Sequence, residues 1–153
     1  MRTNDNLSEC LKLVTQAMRG AQSSWWIIGS AAAALHGAAP VDVADVDVLL
    51  SVDDAQAILP QLGLAAGVGE DHPDFRSDIF AIWRGSSLTV EFMAGFAFRD
   101  TAGWHPVWPS TRQFVEVDGC KLPVPSRAEL IAIMQSFGRP KDLERAALLR
   151  ALG

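Results

Sequence analysis

The chain has 153 residues and 49% hydrophobic content, enough for one sizeable core and too little for two ordinary domains, so a single domain over residues 1–153 is expected. A formal net charge of -5 argues against a general polyanion-binding surface, but leaves room for a small basic pocket that takes one anion. No stretch approaches the roughly 20 apolar residues of a membrane span, and residues 1–10 carry no apolar signal segment, so a cytoplasmic protein is expected.

Along the chain, Leu7, Cys10, Leu11, Val14, Ala17 and Met18 recur at helical spacing, and Gly20 follows as a stop. Trp25 to Ile28 is a short apolar run that suits a buried strand. Ser30 to His36, rich in alanine and closed by Gly37, predicts a helix. Val43 to Leu50 predicts a second strand, and Asp53 to about Leu62 a helix that Pro60 interrupts. The polar segment Asp71 to Ser77 predicts a loop. Ile79–Arg84 and Ser87–Met93 flank Gly85-Ser86, the pattern of a tight hairpin. Trp104 to Pro109, with His105 inside it, predicts an aromatic loop pinned to the core, able to line a base pocket or a partner surface.

Arg112–Val117 and Cys120–Val124 flank Asp118-Gly119, a stronger hairpin signal, and Pro123 confines the second strand to a sheet edge. Ser126 with Glu129 forms a capping box for a helix closed by Gly138. Pro140 opens a final helix reaching about Leu152. The order predicts an α/β (α+β) fold: a mixed sheet flanked by helices, its first strands joined by helical crossovers, its later ones antiparallel, with two C-terminal helices. The two thiols, Cys10 and Cys120, stand in no metal-ligand spacing and read as apolar core groups in a reducing compartment.

Chemistry concentrates first in Asp45-Val46-Asp47. Alternate side chains of a strand share a face, so both carboxylates point one way while Val46 and Val48 fill the core behind them. Two such charges repel, and a divalent cation with hard oxygen ligands removes the conflict. Gly29-Ser30 stands between a strand and an alanine-rich helix. There glycine permits close backbone approach, and serine can cap the helix or offer its hydroxyl to a phosphate. A phosphate cradle beside a carboxylate pair is what phosphoryl transfer requires. Glu91 shares a strand face with Thr89 and Met93, opposite Leu88, Val90 and Phe92. It reads either as a third acid that ligates metal or deprotonates a hydroxyl, or as an outward surface charge. Lys141-Asp142 opens the last helix and reads either as a solvated first turn or as a lysine that neutralises a triphosphate, held in place by the aspartate. Arg76 and Arg84 read as solvated side chains, and His36 as a structural histidine near a helix end. His72 lies in a cluster too compact for a metal site.

Ile28-Gly29-Ser30, Asp45-Val46-Asp47 and a carboxylate on a later strand together resemble the polymerase-beta-type nucleotidyltransferase superfamily. Val124-Pro-Ser-Arg-Ala-Glu-Leu, leading to Arg139-Pro-Lys-Asp-Leu-Glu, resembles the AbiEii-like toxins and related small bacterial nucleotidyltransferases. The resemblance implies the nucleotidyltransferase fold and transfer of an NMP from an NTP to an acceptor hydroxyl on RNA, protein or a small molecule. It also implies Mg2+ or Mn2+, and a toxin-type relative would have an antitoxin partner. It would give Gly29 and Ser30 to the phosphates, Asp45, Asp47 and Glu91 to the metal and to catalysis, and Lys141 to the nucleotide with Asp142 in support. The chain departs from the pattern in having Glu91 where Asp is usual and Gln135 where Lys is frequent. A catalytically weakened nucleotide-binding module of the same fold is the alternative these departures raise, and a toxin-antitoxin interaction subunit of that fold is another.

Overall fold

The computed structural model describes residues 5–69 and 71–153. In chain order the elements are α1 (Asp5–Ala17), β1 (Trp26–Ile28), α2 (Gly29–Leu35), β2 (Asp45–Leu50), α3 (Val52–Ile58), β3 (Phe75–Arg76), β4 (Ile79–Trp83), β5 (Thr89–Ala94), β6 (Ala97–Asp100), β7 (Gly103–Pro106), β8 (Gln113–Val117), β9 (Cys120–Val124), α4 (Arg127–Phe137) and α5 (Pro140–Arg150). The main sheet has the order β1-β2-β5-β4 and is mixed: β2 and β5 run parallel, and the outer pairs run antiparallel.

The alternation in β2 and β5 divides this sheet into two faces. Val46, Val48 and Leu50, with Val90, Phe92 and Ala94, are fully buried in the main core with apolar residues of α1, α2 and α3. The opposite face carries Leu49 and Met93, which join Trp26, Ile28, Phe96 and Val107 in a smaller second core. Asp45, Asp47 and Glu91 are on that second face. Slipping β2 by one residue would exchange Asp45 and Asp47 for Val46 and Val48 in the main core. Burying each valine is worth about 1.5–3 kcal/mol, so the pattern fixes the register.

The N-terminal half of this core is tied down by Asp54. It is 3% exposed, and its carboxylate accepts hydrogen bonds from the backbone N–H groups of Gln22 (2.9 Å) and Ser23 (3.0 Å). Its own N–H donates to Ser51 Oγ, which caps α3. Asp54→Ala leaves two backbone donors without their acceptor. It is expected to cost about 1–3 kcal/mol in a urea melt, with the slope unchanged.

The predicted Asp118-Gly119 hairpin forms as expected. Both residues have positive φ, 48° and 81°, and Val117 faces Cys120 directly across the two-residue turn. Pro123 lies on a strand with β8 as its single ladder partner. Pro60 ends the regular part of α3, which continues as a 3-10 turn over Leu59–Leu62. Cys10 is buried, and burial raises its thiol pKa. Cys120 is half-buried against the main core. No helix among the described residues is long and apolar enough to cross a membrane.

Several expectations are corrected. β1 and β2 are antiparallel, so α2 and the loop after it reverse the chain rather than cross it over; the parallel pair is β2 with β5. The segment expected to be a loop at Asp71–Ser77 contains β3, and the aromatic stretch at Trp104 contributes to β7. With β6 these strands form a second sheet of order β3-β6-β7. The Gly85-Ser86 connection is longer than a two-residue turn, since Trp83 pairs with Val90. Gly85 is required there because the Trp83 indole lies where its Cβ would stand, at 2.5 Å. The capping box is one-sided. Ser126 accepts from the Glu129 N–H, while the Glu129 carboxylate turns away to bind the backbone N–H groups of Ser110 and Thr111, both at 2.8 Å.

Candidate metal and nucleotide site

β2 and β5 bring the acids together by register. Asp47 faces Glu91 directly across the parallel pair, Asp45 stands two residues earlier on the same face, and a carboxylate oxygen from each lies within 4.8 Å of the others. All three residues are half-buried. Within Asp47, Oδ1 is shielded from solvent and has no hydrogen-bond partner among the described residues. Burial pushes the Asp47 carboxyl well above the usual carboxylate range; Glu91 and Asp45 push the same way, and the Arg139 guanidinium opposes them. A buried acceptor without a donor, beside two like charges, is the environment in which a hard cation is stabilising.

Gly29 completes this wall. Ile28 pairs with Asp47 across the antiparallel strands, and the chain turns at Gly29 with φ +69° into α2. A Cβ on Gly29 would stand 2.6 Å from Asp47 Oδ2. Ser30 does not cap α2, because the N-cap position belongs to Ile28; its half-buried side chain lines the cavity instead.

The acids open into a cavity of about 880 Å³. Gly29, Ser30, Asp45, Asp47 and Glu91 line one side, and Arg139, Lys141, Asp142 and Arg145 of the C-terminal segment line another. The seven residues that the sequence singles out, Gly29, Ser30, Asp45, Asp47, Glu91, Lys141 and Asp142, all line it. The role expected of Asp142 is corrected: its carboxylate is bound by Arg139, Nε at 2.6 Å and Nη2 at 3.1 Å, and not by Lys141. Arg139 itself was passed over, although its i, i+3 spacing from Asp142 across a helix start was a readable signal. Arg76 was read as solvated. It does line the cavity, with its guanidinium 4.4 Å from the Trp104 ring centroid. Gln135 is exposed and is not among the lining residues. Phe75, Phe80, Phe96 and Phe137 supply the aromatic lining, whereas Trp104 and His105 are absent from it.

No protein-family model and no curated protein sequence matches the chain. Solved structures do. A protein of Thermotoga maritima assigned as a nucleotidyltransferase superposes with a TM-score of 0.71 at 25% identity, over 92% of this chain and 88% of that one. The lincosamide antibiotic adenylyltransferase LnuA, bound to lincomycin, gives 0.63 at 10% identity over 100% of both chains. ANT(2")-Ia in complex with adenylyl-2"-tobramycin gives 0.53 at 16% identity, over 94% of this chain and 87% of that one. The mixed sheet, the two C-terminal helices and these superpositions agree that the chain has the nucleotidyltransferase fold.

Proposed function

We propose that the protein is a metal-dependent nucleotidyltransferase that moves an NMP from an NTP to an acceptor hydroxyl, acting in the cytoplasm. The observation that carries this reading is the convergence of Asp45, Asp47 and Glu91 in a cavity that Arg139, Lys141 and Arg145 also line. The acids fit a divalent ion such as Mg2+ or Mn2+, because their donors are hard oxygens and Asp47 Oδ1 has no hydrogen-bond partner among the described residues. When bound, the ion would neutralise charge developing on the phosphoryl oxygens.

The chain's own residues do the rest. Gly29 lets the backbone approach the phosphates, and Ser30 offers its hydroxyl to them. Lys141 and Arg145 offset the triphosphate charge. Glu91 takes the proton from the acceptor hydroxyl as its oxygen bonds to the α-phosphorus. The bond from the α-phosphorus to the β-phosphate breaks, and pyrophosphate leaves. The structural neighbours bound to lincomycin and to adenylyl-2"-tobramycin favour ATP as donor and a small hydroxylated acceptor. A second reading, an AbiEii-like enzyme acting on RNA or protein and held by an antitoxin, rests on the segments Val124–Leu130 and Arg139–Glu144.

The test incubates the purified protein with each labelled NTP, with Mg2+ or Mn2+, and with hydroxylated antibiotics, RNA, protein or no acceptor. Metal-dependent label transfer with release of pyrophosphate is expected. Absence of transfer to every acceptor, together with no NTP binding in either metal, would overturn the reading.

A further inference from the structure

We propose that Arg139 is the guanidinium that grips the anionic part of the substrate, and that Asp142 is its positioning residue, with Phe75 and Phe137 as a platform. This rests on the nucleotidyltransferase reading of the same cavity.

The two partners differ sharply in exposure: the Asp142 side chain is 3% exposed and that of Arg139 is 40% exposed. A carboxylate removed from water is costly unless paired, and here Arg139 is its ion-pair partner, through Nε and Nη2. This side-on fork fixes the plane of the guanidinium and leaves Nη1 without a hydrogen bond among the described residues. The ring of Phe75 on β3 lies 4.8 Å from the guanidinium carbon, and that of Phe137 at the end of α4 lies 5.9 Å away. Arg139 is thus held from three elements while its side chain lines the cavity and stays 40% exposed.

The neighbouring charges show what the guanidinium is for. Lys141 and Arg145, one helical turn apart on α5, also line the cavity, and like charges at that spacing repel. An anion between them and Arg139 would remove the repulsion. A planar fork held by a buried carboxylate suits phosphate oxygens better than a flexible ammonium does. Arg139 also acts on Asp47 electrostatically, so the arginine and the acid cluster are within each other's field. A triphosphate bridging them would satisfy both.

The experiment is calorimetric binding of ATP and of inorganic tripolyphosphate, each without divalent ions and then with Mg2+. Arg139→Lys keeps a cation for Asp142 and so keeps the fold, which thermal melting checks, but it loses the fork. Its dissociation constants for both probes are expected to rise about tenfold or more. Asp142→Asn keeps the arginine and releases it; a smaller loss is expected, partly restored in Asp142→Glu. Arg84→Gln, which removes an exposed charge outside the cavity lining, is expected to bind as the wild type does. Folded Arg139→Lys binding both probes within twofold of the wild type would overturn the inference alone. Failure of the wild type to bind either probe in any condition would overturn the nucleotidyltransferase reading and this inference with it.

Discussion

Gly29→Ala is expected to lower metal-dependent turnover about 100-fold while leaving a folded protein. Two effects add at this position. An alanine held at φ +69° costs about 1–2 kcal/mol in the left-handed region. Its Cβ also meets Asp47 Oδ2 at 2.6 Å, so the carboxylate must move. The backbone term alone lowers the melting temperature by roughly 2–8 °C in a domain of this size. The displaced carboxylate matters more for function, because Asp47 is the central member of the acid cluster, paired with Glu91 across β2 and β5. A 1 Å misplacement at such a site costs about 100-fold in rate. Calorimetric metal titration and a thermal melt check both effects. Full metal affinity in Gly29→Ala would mean that the close approach to Asp47 has no functional content.

Asp47→Asn is expected to be more stable than the wild type in metal-free buffer near neutral pH, although it removes a buried group's native side chain. The Asp47 pKa is raised, by burial first and then by Glu91 and Asp45. The sign follows from proton linkage. Below about pH 4, the ordinary carboxylate value, folded and unfolded chains are both protonated at Asp47, and its charge costs nothing. As pH rises, the unfolded chain releases its proton first, so stability falls until the raised folded pKa is passed; above it the whole cost is present. Asparagine is neutral throughout. The difference in melting temperature in favour of Asp47→Asn should therefore be largest near pH 8 and close as pH falls to about 4. Metal reverses the order. The wild type is expected to gain stability on adding Mn2+ and to gain more with NTP, and the variant to gain little. A variant less stable than the wild type at pH 8 without metal would show that Asp47 is an ordinary structural aspartate.

The sequence made the acid face legible because a strand has a period of two. Asp45 and Asp47 had to share a face once Val46 and Val48 were taken as core, whereas alternation left Glu91 either a site acid or a surface charge until the β2–β5 register set it beside Asp47. Gly29 was legible as a special backbone position, though its contact with Asp47 was not: that depends on the antiparallel register of Ile28 with Asp47. The sense of β1 could not be read, since a seven-residue helix and a loop can return a chain in either direction. β3, β6 and β7 were missed because they are short and polar or mixed in pattern, with few alternations to detect. The Arg139–Asp142 pair was half visible. Its spacing was there, but the burial that makes Asp142 a holder of Arg139 is set by packing of α4 against α5 and could not be inferred from either residue.

Asp45, Asp47 and Glu91 are expected to act as one metal site serving an NTP. Calorimetric titration of Mn2+ into the wild type, Asp45→Asn and Glu91→Gln, each with and without a nonhydrolysable ATP analogue, tests it most directly. Saturable binding that tightens with the analogue is expected in the wild type. At least a tenfold loss is expected in Asp45→Asn, a loss in Glu91→Gln, and no tightening by the analogue in Asp45→Asn. Equal Mn2+ affinity in the wild type and both variants would contradict it, whatever the chain proves to catalyse.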